Sequence, residues 1–214
     1  IKYGSPIGKA VSNIKAGEHI HSHNLATGLN GISEYTYSGC NAAYPGRSKE
    51  LSFMGYERRS GLVGTRNEIW IIPTVGCVNS IAAAVAEKAN KLYGGLCDGI
   101  YAVSHPYGCS QLGEDGENTA KFLSALCRHP NAGGVLLLSL GCENNNIEVM
   151  KRYLKDVDES RLRIVIAQEE DDEIAAALTK VSELCKTASR DKRTNQPLSK
   201  LTVGMKCGGS DAFS

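Results

Sequence analysis

The chain has 214 residues, of which 42% are apolar and 22% are charged, and its formal net charge is +1. This composition is typical of a protein that buries a core, and the near-zero charge excludes an overall field that would draw it to nucleic acid or membrane. No apolar run approaches the roughly 20 residues of a membrane helix. Residues 1–8 also lack the charged and apolar regions of a signal peptide. We therefore expect a cytoplasmic protein with neither a membrane nor a nucleic-acid partner.

Residues 1–27 predict part of a small β module, in which two short strands flank a turn at Lys15-Ala16-Gly17. The segment after this turn carries histidines at positions 19, 21 and 23. Alternate residues of a strand share one face, so this spacing predicts a face that binds a metal or an anion; a solvated polar face is the alternative. Residues 28–68 are rich in glycine and polar side chains and predict a linker and junction.

Residues 69–214 predict an α/β domain. Its five apolar runs have strand length and are apolar on both faces, as buried parallel strands are; they cover 69–75, 99–105, 134–140, 162–167 and 201–205. Helical spacing of apolar residues fills the gaps, within 81–92, 120–127, 147–154 and 174–184. The pattern predicts a doubly wound parallel sheet of about five strands and four helices. The charged segment 188–200 predicts a solvated, mobile loop.

Three of the predicted strands end in the same dipeptide. Gly76-Cys77, Gly108-Cys109 and Gly141-Cys142 are spaced 32 and 33 residues apart, and Cys207 follows the fifth run. Ligands bind beyond the carboxyl ends of the strands in parallel sheets, and a thiol at a helix N-terminus favours the thiolate that binds metals. The spacing therefore predicts these four cysteines as ligands of a metal or an iron–sulfur cluster, and the alternative is a set of well-packed small-residue turns.

Other polar residues fall in the same predicted loops. Glu143 follows a predicted strand and is a candidate ligand or base. Asn145 and Asn146 are candidates for hydroxyl and carboxylate binding or, equally, for helix N-capping. His105 ends a predicted strand, where a satisfied core histidine is the alternative, and Arg66 precedes the first strand as a candidate carboxylate ligand.

Several long segments resemble the altronate/galactarate dehydratase family. The second domain of that family is matched by IIPTVGC (71–77), HPYGCSQLG (105–113), RHPNAGGVLLLSLGCENN (128–145) and KCGGSDAFS (206–214). YGSPIGKAVSNIKAGEHIHSHNL (3–25) resembles the end of the preceding β-clip domain of the SAF type, and GLVGTRNEIWIIPT (61–74) resembles the junction. On this resemblance, the chain is expected to begin midway through the β-clip domain and to continue beyond Ser214. A sheet cut there is expected to expose apolar surface and to favour a homo-oligomer.

The resemblance implies loss of water from a sugar acid to give a 2-keto-3-deoxy acid, with Fe²⁺ or another divalent metal as cofactor. With this activity in view, the candidate catalytic residues are Glu143, His105 and His21, the last on a β-clip domain that would act as a lid. The candidate substrate ligands are Arg66, Asn67, Gln111, Asn144, Asn145, Lys206, His19 and Asn24. The candidate metal ligands are Cys77, Cys109, Cys142 and Cys207. The alternatives are a non-catalytic metal or iron–sulfur module and a sugar-acid binding domain without chemistry.

Overall fold

The computed structural model describes residues 8–28 and 51–206. The chain divides into two units, one of residues 1–48 together with 202–214 and the other of residues 49–201. Among the described residues, no helix is both long and apolar enough to cross a membrane.

The smaller unit contains an antiparallel hairpin of β1 (Gly8–Ala10) and β2 (Leu25–Thr27), with Gly8 opposite Thr27. Gly8 is required there because a Cβ atom would overlap the Ala26 carbonyl. Gly17 has a φ of 86°, as the predicted turn requires. The prediction that the three histidines lie along a strand is wrong, since they fall in the loop before β2.

The larger unit is built on a four-stranded parallel sheet. The strands are β5 (Glu68–Pro73), β6 (Ile100–Ala102), β7 (Ala132–Ser139) and β8 (Leu162–Ile166), in the order β6-β5-β7-β8. The connecting helices are α1 (Asn79–Tyr93), α2 (Glu114–Cys127), α3 (Ile147–Lys151) and α4 (Glu173–Ala188). The predicted α/β fold with a doubly wound parallel sheet is confirmed, with four strands in place of five.

Both faces of this sheet are buried. Along β7, Leu136 and Leu138 pack on one face in a cluster that includes residues of α1 and α4. Val135 and Leu137 alternate onto the other face, in a cluster with residues of α2 and α3. Successive residues of β7 thus point to opposite faces of the sheet, and all of them are buried. This is expected of a strand that is covered by helices on both faces.

The prediction of a fifth strand at residues 201–205 is wrong. Residues 201–206 form no strand, and within them Val203 is 68% and Met205 92% exposed. Instead β9 (Thr194–Pro197), inside the predicted mobile loop, pairs antiparallel with β3 (Ser52–Glu57), inside the predicted junction. β3 also pairs with β4 (Val63–Gly64). A short apolar run does not make a strand without a partner, whereas a polar strand forms readily when it has one.

Ion pairs join the chain segments at the amino edge of the parallel sheet. Asp191 accepts hydrogen bonds from Arg58 at 3.0 Å and from both terminal nitrogens of Arg161 at 2.8 and 2.6 Å. Arg58 also donates to the carbonyl oxygen of Pro130 at 2.8 Å and to the side chain of Asn67 at 3.0 Å. The Arg58 side chain is only 8% exposed, so these contacts are shielded from water and fix β3 against the sheet.

Candidate active site

The order of the parallel strands identifies one edge of the sheet as the place where a ligand would bind. The chain leaves β5 for β6 on one side and then returns to β7 on the other side. The connections after β5 and β7 therefore diverge, and such a switch point opens a crevice at the carboxyl ends of the strands. We call the segments that follow β5, β6 and β7 the carboxyl-edge loops; they comprise residues 74–78, 103–113 and 140–146.

Two hydrogen bonds to backbone carbonyl oxygens hold the second carboxyl-edge loop, one from the first loop and one from the start of α1. The N–H of Gly76 donates to the carbonyl oxygen of Tyr107 at 2.7 Å, and the Asn79 amide donates to that of His105 at 2.8 Å. A Cβ atom on residue 76 would lie 3.0 Å from the His105 oxygen, closer than nearly all real Cβ contacts. A side chain at residue 76 would therefore require the backbone of the second loop to move away by a few tenths of an ångström.

His105 has a partner for each ring nitrogen. Its Nε2–H donates to the carbonyl oxygen of Pro73 at 2.9 Å, and its Nδ1 accepts from the N–H of Tyr107 at 3.2 Å. These contacts are compatible with a single neutral tautomer, and they hold the second carboxyl-edge loop against the end of β5. The geometry is that of a histidine whose ring supports the loop.

Glu143 lies in the middle of the third loop and is 3% exposed. Its Oε1 accepts hydrogen bonds from the hydroxyl of Thr74, from the hydroxyl of Ser139 at 2.5 Å and from the N–H of Leu140 at 3.2 Å. Its Oε2 accepts from the N–H of Gly141 at 2.6 Å. Since both oxygens are engaged and Thr74 belongs to the first loop, this carboxylate ties the ends of β5 and β7 together.

The charge of Glu143 is stabilised despite its burial. Burial alone would raise the pKa of the carboxyl group, but the hydrogen bonds from Ser139, Thr74 and the backbone lower it below its usual value. Glu143 is therefore ionised at neutral pH, with a hydrogen-bond environment matched to the carboxylate form.

The side chains of the third loop reach the second loop and α2. Asn144 donates to the carbonyl oxygen of Cys109 at 2.8 Å, and Asn145 donates to that of Gly116 at 3.0 Å. Asn146 caps α3 by accepting from the N–H of Val149, which confirms the N-capping alternative for this residue. Gln111 accepts from the Thr119 hydroxyl at 2.8 Å. All three loops are thus connected into one surface.

Three of the four predicted metal ligands lie in these loops. Cys77, Cys109 and Cys142 are exposed at the carboxyl edge, as predicted, and Cys207 lies outside the described residues. Among the residues that the structure describes, no three His, Cys, Asp or Glu side chains are placed to hold a metal ion. The described thiols therefore share an edge of the sheet without forming a ligand set.

Two predicted substrate ligands lie at the other end of β5. Arg66 is exposed and pairs with Glu68 at 3.7 Å, while Asn67 is buried and donates to the carbonyl oxygen of Ala188 at 2.8 Å. A six-residue strand spans about 20 Å, so the structure does not bring these residues to the carboxyl-edge loops. An open cleft of about 830 Å³ lies at this amino edge too, but Arg58 and Arg161 in its wall are already paired with Asp191.

The remaining candidates belong to the smaller unit. The rings of His19 and His21 stack with centroids 5.6 Å apart, and both residues are exposed. Asn24 is 1% exposed, and its side chain donates to the His19 carbonyl oxygen and accepts from the His21 N–H, so it holds their loop. Lys206 is exposed.

Some residues of the carboxyl edge were not predicted from the sequence. Thr74 and Ser139 donate to Glu143, and the Gln168 amide lies 3.8 Å from the Cys142 sulfur. Thr74 and Ser139 are the polar positions at the ends of otherwise apolar strand sequences. That pattern is a usable signal, because a buried hydroxyl needs a partner.

The chain has a doubly wound α/β domain with polar, tightly connected loops at its switch point, which is where domains of this class bind small molecules when they do so. Residues 55–189 match the family model described as "D-galactarate dehydratase/Altronate hydrolase, second domain", and residues 1–28 match "Altronate/galactarate dehydratase SAF domain". The chain belongs to the D-galactarate dehydratase/altronate hydrolase family.

Individual relatives support this assignment. The chain is 46% identical over 216 residues to altronate dehydratase of Bacillus subtilis and 44% identical over 218 residues to altronate dehydratase of Escherichia coli. These matches cover 100% of the chain and 44% of each relative, so the chain spans less than half the length of these proteins. It is also 32% identical over 169 residues to the (2R)-sulfolactate sulfo-lyase subunit beta of Chromohalobacter salexigens, covering 78% of the chain and 40% of that protein.

Proposed function

We propose that the chain is part of a hydro-lyase that removes water from altronate, galactarate or a related sugar acid to give a 2-keto-3-deoxy acid. The observation that carries the proposal is the similarity to two altronate dehydratases over the whole chain. The arrangement of the carboxyl-edge loops is consistent with it, because a polyhydroxy acid needs a surface with many hydrogen-bonding groups.

The reaction balances without an oxidant or reductant. A base removes the proton from C2, next to the carboxylate, and the C3–O bond breaks as the hydroxyl group leaves with a proton as water. The resulting enol then takes a proton at C3 and becomes the 2-keto acid. The first step of the reaction is the most difficult, because the C2 proton is weakly acidic and negative charge accumulates on the carboxylate as the proton leaves.

Within this reaction we propose that Glu143 and His105 act as positioning residues. Both are fully engaged by neighbouring backbone and side-chain groups, so their contribution is to hold the carboxyl-edge loops in place. The exposed side chains of Asn144 and of the three thiols at this edge are then among the groups available to substrate hydroxyls.

A divalent metal would stabilise the negative charge on the substrate carboxylate as a Lewis acid. The described residues do not by themselves fit such a site, because no three potential ligands lie together among them. Dependence on iron therefore remains a prediction, to be tested by measuring the metal content of the full-length protein together with its activity.

The direct test is an assay of the full-length protein on a panel of aldonates and aldarates, with and without added ferrous iron. We expect a 2-keto acid from altronate or galactarate, and a rate lowered at least tenfold by Glu143→Gln. Glu148→Gln is the matched control, because Glu148 is exposed on α3 and its ion pair is with Lys151, one helical turn away on the same helix. Absence of a 2-keto acid from every member of the panel would refute the proposal.

The internal hydrogen bonds of His105 favour a second candidate function, in which this part of the protein binds and orients the sugar acid while other residues transfer the protons. The dependence of rate on pH for His105→Asn tests the positioning role that both candidate functions give to His105. A positioning role lowers the rate at every pH and leaves the shape of the profile unchanged, whereas a proton-transfer role removes one limb of the profile.

We also propose that the protein is cytoplasmic. The six cysteines among the described residues are free thiols, which is typical of a reducing compartment.

A further inference from the structure

Charge is distributed unevenly between the two edges of the parallel sheet. The segments at the amino edge contain eleven Lys and Arg residues and five acidic residues; they cover 58–67, 94–99, 128–131, 152–161 and 189–200. The segments at the carboxyl edge contain five acidic residues and no Lys or Arg; they cover 74–78, 103–113, 140–146 and 167–172. Although the net charge of the chain is only +1, the amino edge is therefore the end that attracts anions.

The amino edge also contains the open cleft of about 830 Å³, which we call the amino-edge cleft. Three parts of the chain form its wall. They are the turn between β3 and β4 (58–62), the end of α2 with the start of β7 (127–135), and the segment before β8 (155–161). Small-molecule sites in proteins have volumes of roughly 300–1,000 Å³. The cleft therefore has room for an organic molecule and not only for a simple ion.

Each of these three parts contributes one exposed cation to the wall, namely Arg59, Arg128 and Lys155. Within the part of the chain that the structure describes, none of them has a carboxylate at ion-pair distance. Arg128 donates from Nη1 to the Tyr153 carbonyl oxygen at 2.6 Å, which positions its guanidinium group without neutralising the charge. Arg59 and Lys155 lie outside the helices, so attraction to a helix C-terminus does not explain their positions.

The other charges in the wall leave a positive balance. The wall has five Lys and Arg side chains, and its three acidic side chains are Asp156, Asp158 and Glu159. Arg58 and Arg161 share the single carboxylate of Asp191, which lies outside the wall and neutralises only one of their two charges. An anion in the cleft would therefore meet cations that the fold holds in place but does not fully neutralise.

We propose that the amino-edge cleft binds an organic anion with at least two negative charges, either a phosphate ester or a dicarboxylate. Arg59, Arg128 and Lys155 donate to its charged groups, because guanidinium and ammonium groups form charge-assisted hydrogen bonds with such oxygens. Leu62 and Val157 in the wall contact its carbon skeleton. The cleft and the carboxyl-edge loops lie at opposite edges of the sheet, so this site is separate from the surface proposed for the sugar acid.

Thermal unfolding of the full-length protein tests whether such an anion binds. The probes are glycerol 2-phosphate and succinate, and sodium chloride at the same ionic strength is the reference. A ligand that binds only the folded state raises the melting temperature as its concentration increases. We expect at least one probe to do so beyond the effect of sodium chloride, and the larger effect identifies the preferred charged group. No additional rise with either probe would overturn the proposal.

Two double variants locate the bound probe. Arg59→Gln with Lys155→Gln removes two exposed cations of the wall, and the dissociation constant measured by calorimetry should rise about tenfold or more, since charge-assisted contacts are lost. Arg190→Gln with Lys192→Gln is the matched control, because both residues are exposed at the same edge but lie outside the wall. Equal dissociation constants in the two double variants would mean that the probe binds elsewhere, and would contradict the proposal.

Acetylation of the unmodified protein gives a measurement that needs no variant. The full-length protein is treated with sulfo-N-hydroxysuccinimide acetate, with and without the more effective probe, and the rate of labelling at each lysine is followed by mass spectrometry. The probe should slow the labelling of Lys155, which lines the cleft, and leave that of the exposed Lys192 unchanged. Labelling of Lys155 at the same rate with and without a saturating probe would also overturn the proposal.

Discussion

Replacing Glu143 by Gln tests how the carboxyl-edge loops are held together. The substitution keeps the size of the side chain and one acceptor oxygen, but it places an NH₂ group where Oε2 accepts from the Gly141 N–H at 2.6 Å. One charge-assisted hydrogen bond is lost and a buried N–H is left facing another donor. The hydroxyls of Ser139 and Thr74 also lose a charged acceptor. We expect the free energy of unfolding to fall by about 3 kcal/mol.

The effect should depend on pH with a definite sign. The pKa of Glu143 is lower in the folded chain than its usual value of 4.5, because its hydrogen bonds outweigh the effect of burial. A lowered folded-state pKa stabilises the protein above the unfolded-state value, and this contribution is lost as the pH falls through the folded-state pKa. The stability difference between the original protein and Glu143→Gln should therefore be largest near neutral pH and shrink below about pH 4.5.

Urea unfolding followed by tryptophan fluorescence measures this difference. The chain has one tryptophan, Trp70 on β5, so the signal reports on the larger unit. Glu148→Gln is again the control and should change stability by less than about 0.5 kcal/mol, as expected of an exposed residue. A Glu143→Gln protein as stable as the control, or a difference that stays constant from neutral to acidic pH, would refute the reasoning.

Three further predictions follow from particular contacts. Asp191→Asn removes the negative charge shared by two arginines at the amino edge and should lower the free energy of unfolding by about 3 kcal/mol in the same urea assay. Gly76→Ala should lower stability by about 1–3 kcal/mol and reduce the dehydration rate, because its Cβ would crowd the second loop; Gly95→Ala, whose Cβ meets nothing within 4 Å, should change neither. If thiolates bind the catalytic iron, Cys109→Ser should remove most of the iron from the full-length protein, whereas Cys127→Ser should cost about 1 kcal/mol of packing and leave metal content unchanged. Full iron and full rate in Cys109→Ser would show that its Gly-Cys turn is structural.

The parallel sheet was predictable from the sequence because its two central strands, β5 and β7, are buried on both faces. β5 and β7 are nearly continuous apolar runs, and the helices between them repeat apolar residues at helical spacing, so both periodicities were clear. Pairing of β3 with β9 was not predictable, because these strands are short, partly polar and about 140 residues apart. Local sequence contains no signal for such a long-range partner.

The location of the candidate site was also predictable, since carboxyl-edge loops follow from strand direction and order. The roles of individual side chains were not. Glu143 follows a strand as a catalytic base would, yet its function in the structure depends on Thr74, which lies 69 positions away. His105 likewise depends on the Pro73 carbonyl oxygen. Burial and hydrogen-bond partners of this kind are decided by tertiary packing, which the sequence pattern does not contain.

The central claim, that the carboxyl-edge loops serve a dehydratase, is tested most directly by identifying the product. The full-length protein would be incubated with altronate or galactarate in D₂O under anaerobic conditions with ferrous iron, and the reaction followed by NMR. We predict a 2-keto-3-deoxy acid that carries solvent deuterium at C3, because the enol formed by loss of water takes its new proton there from solvent or a group in exchange with solvent. Recovery of unchanged sugar acid from both substrates, or a product that keeps its C3 hydroxyl group, would contradict the claim.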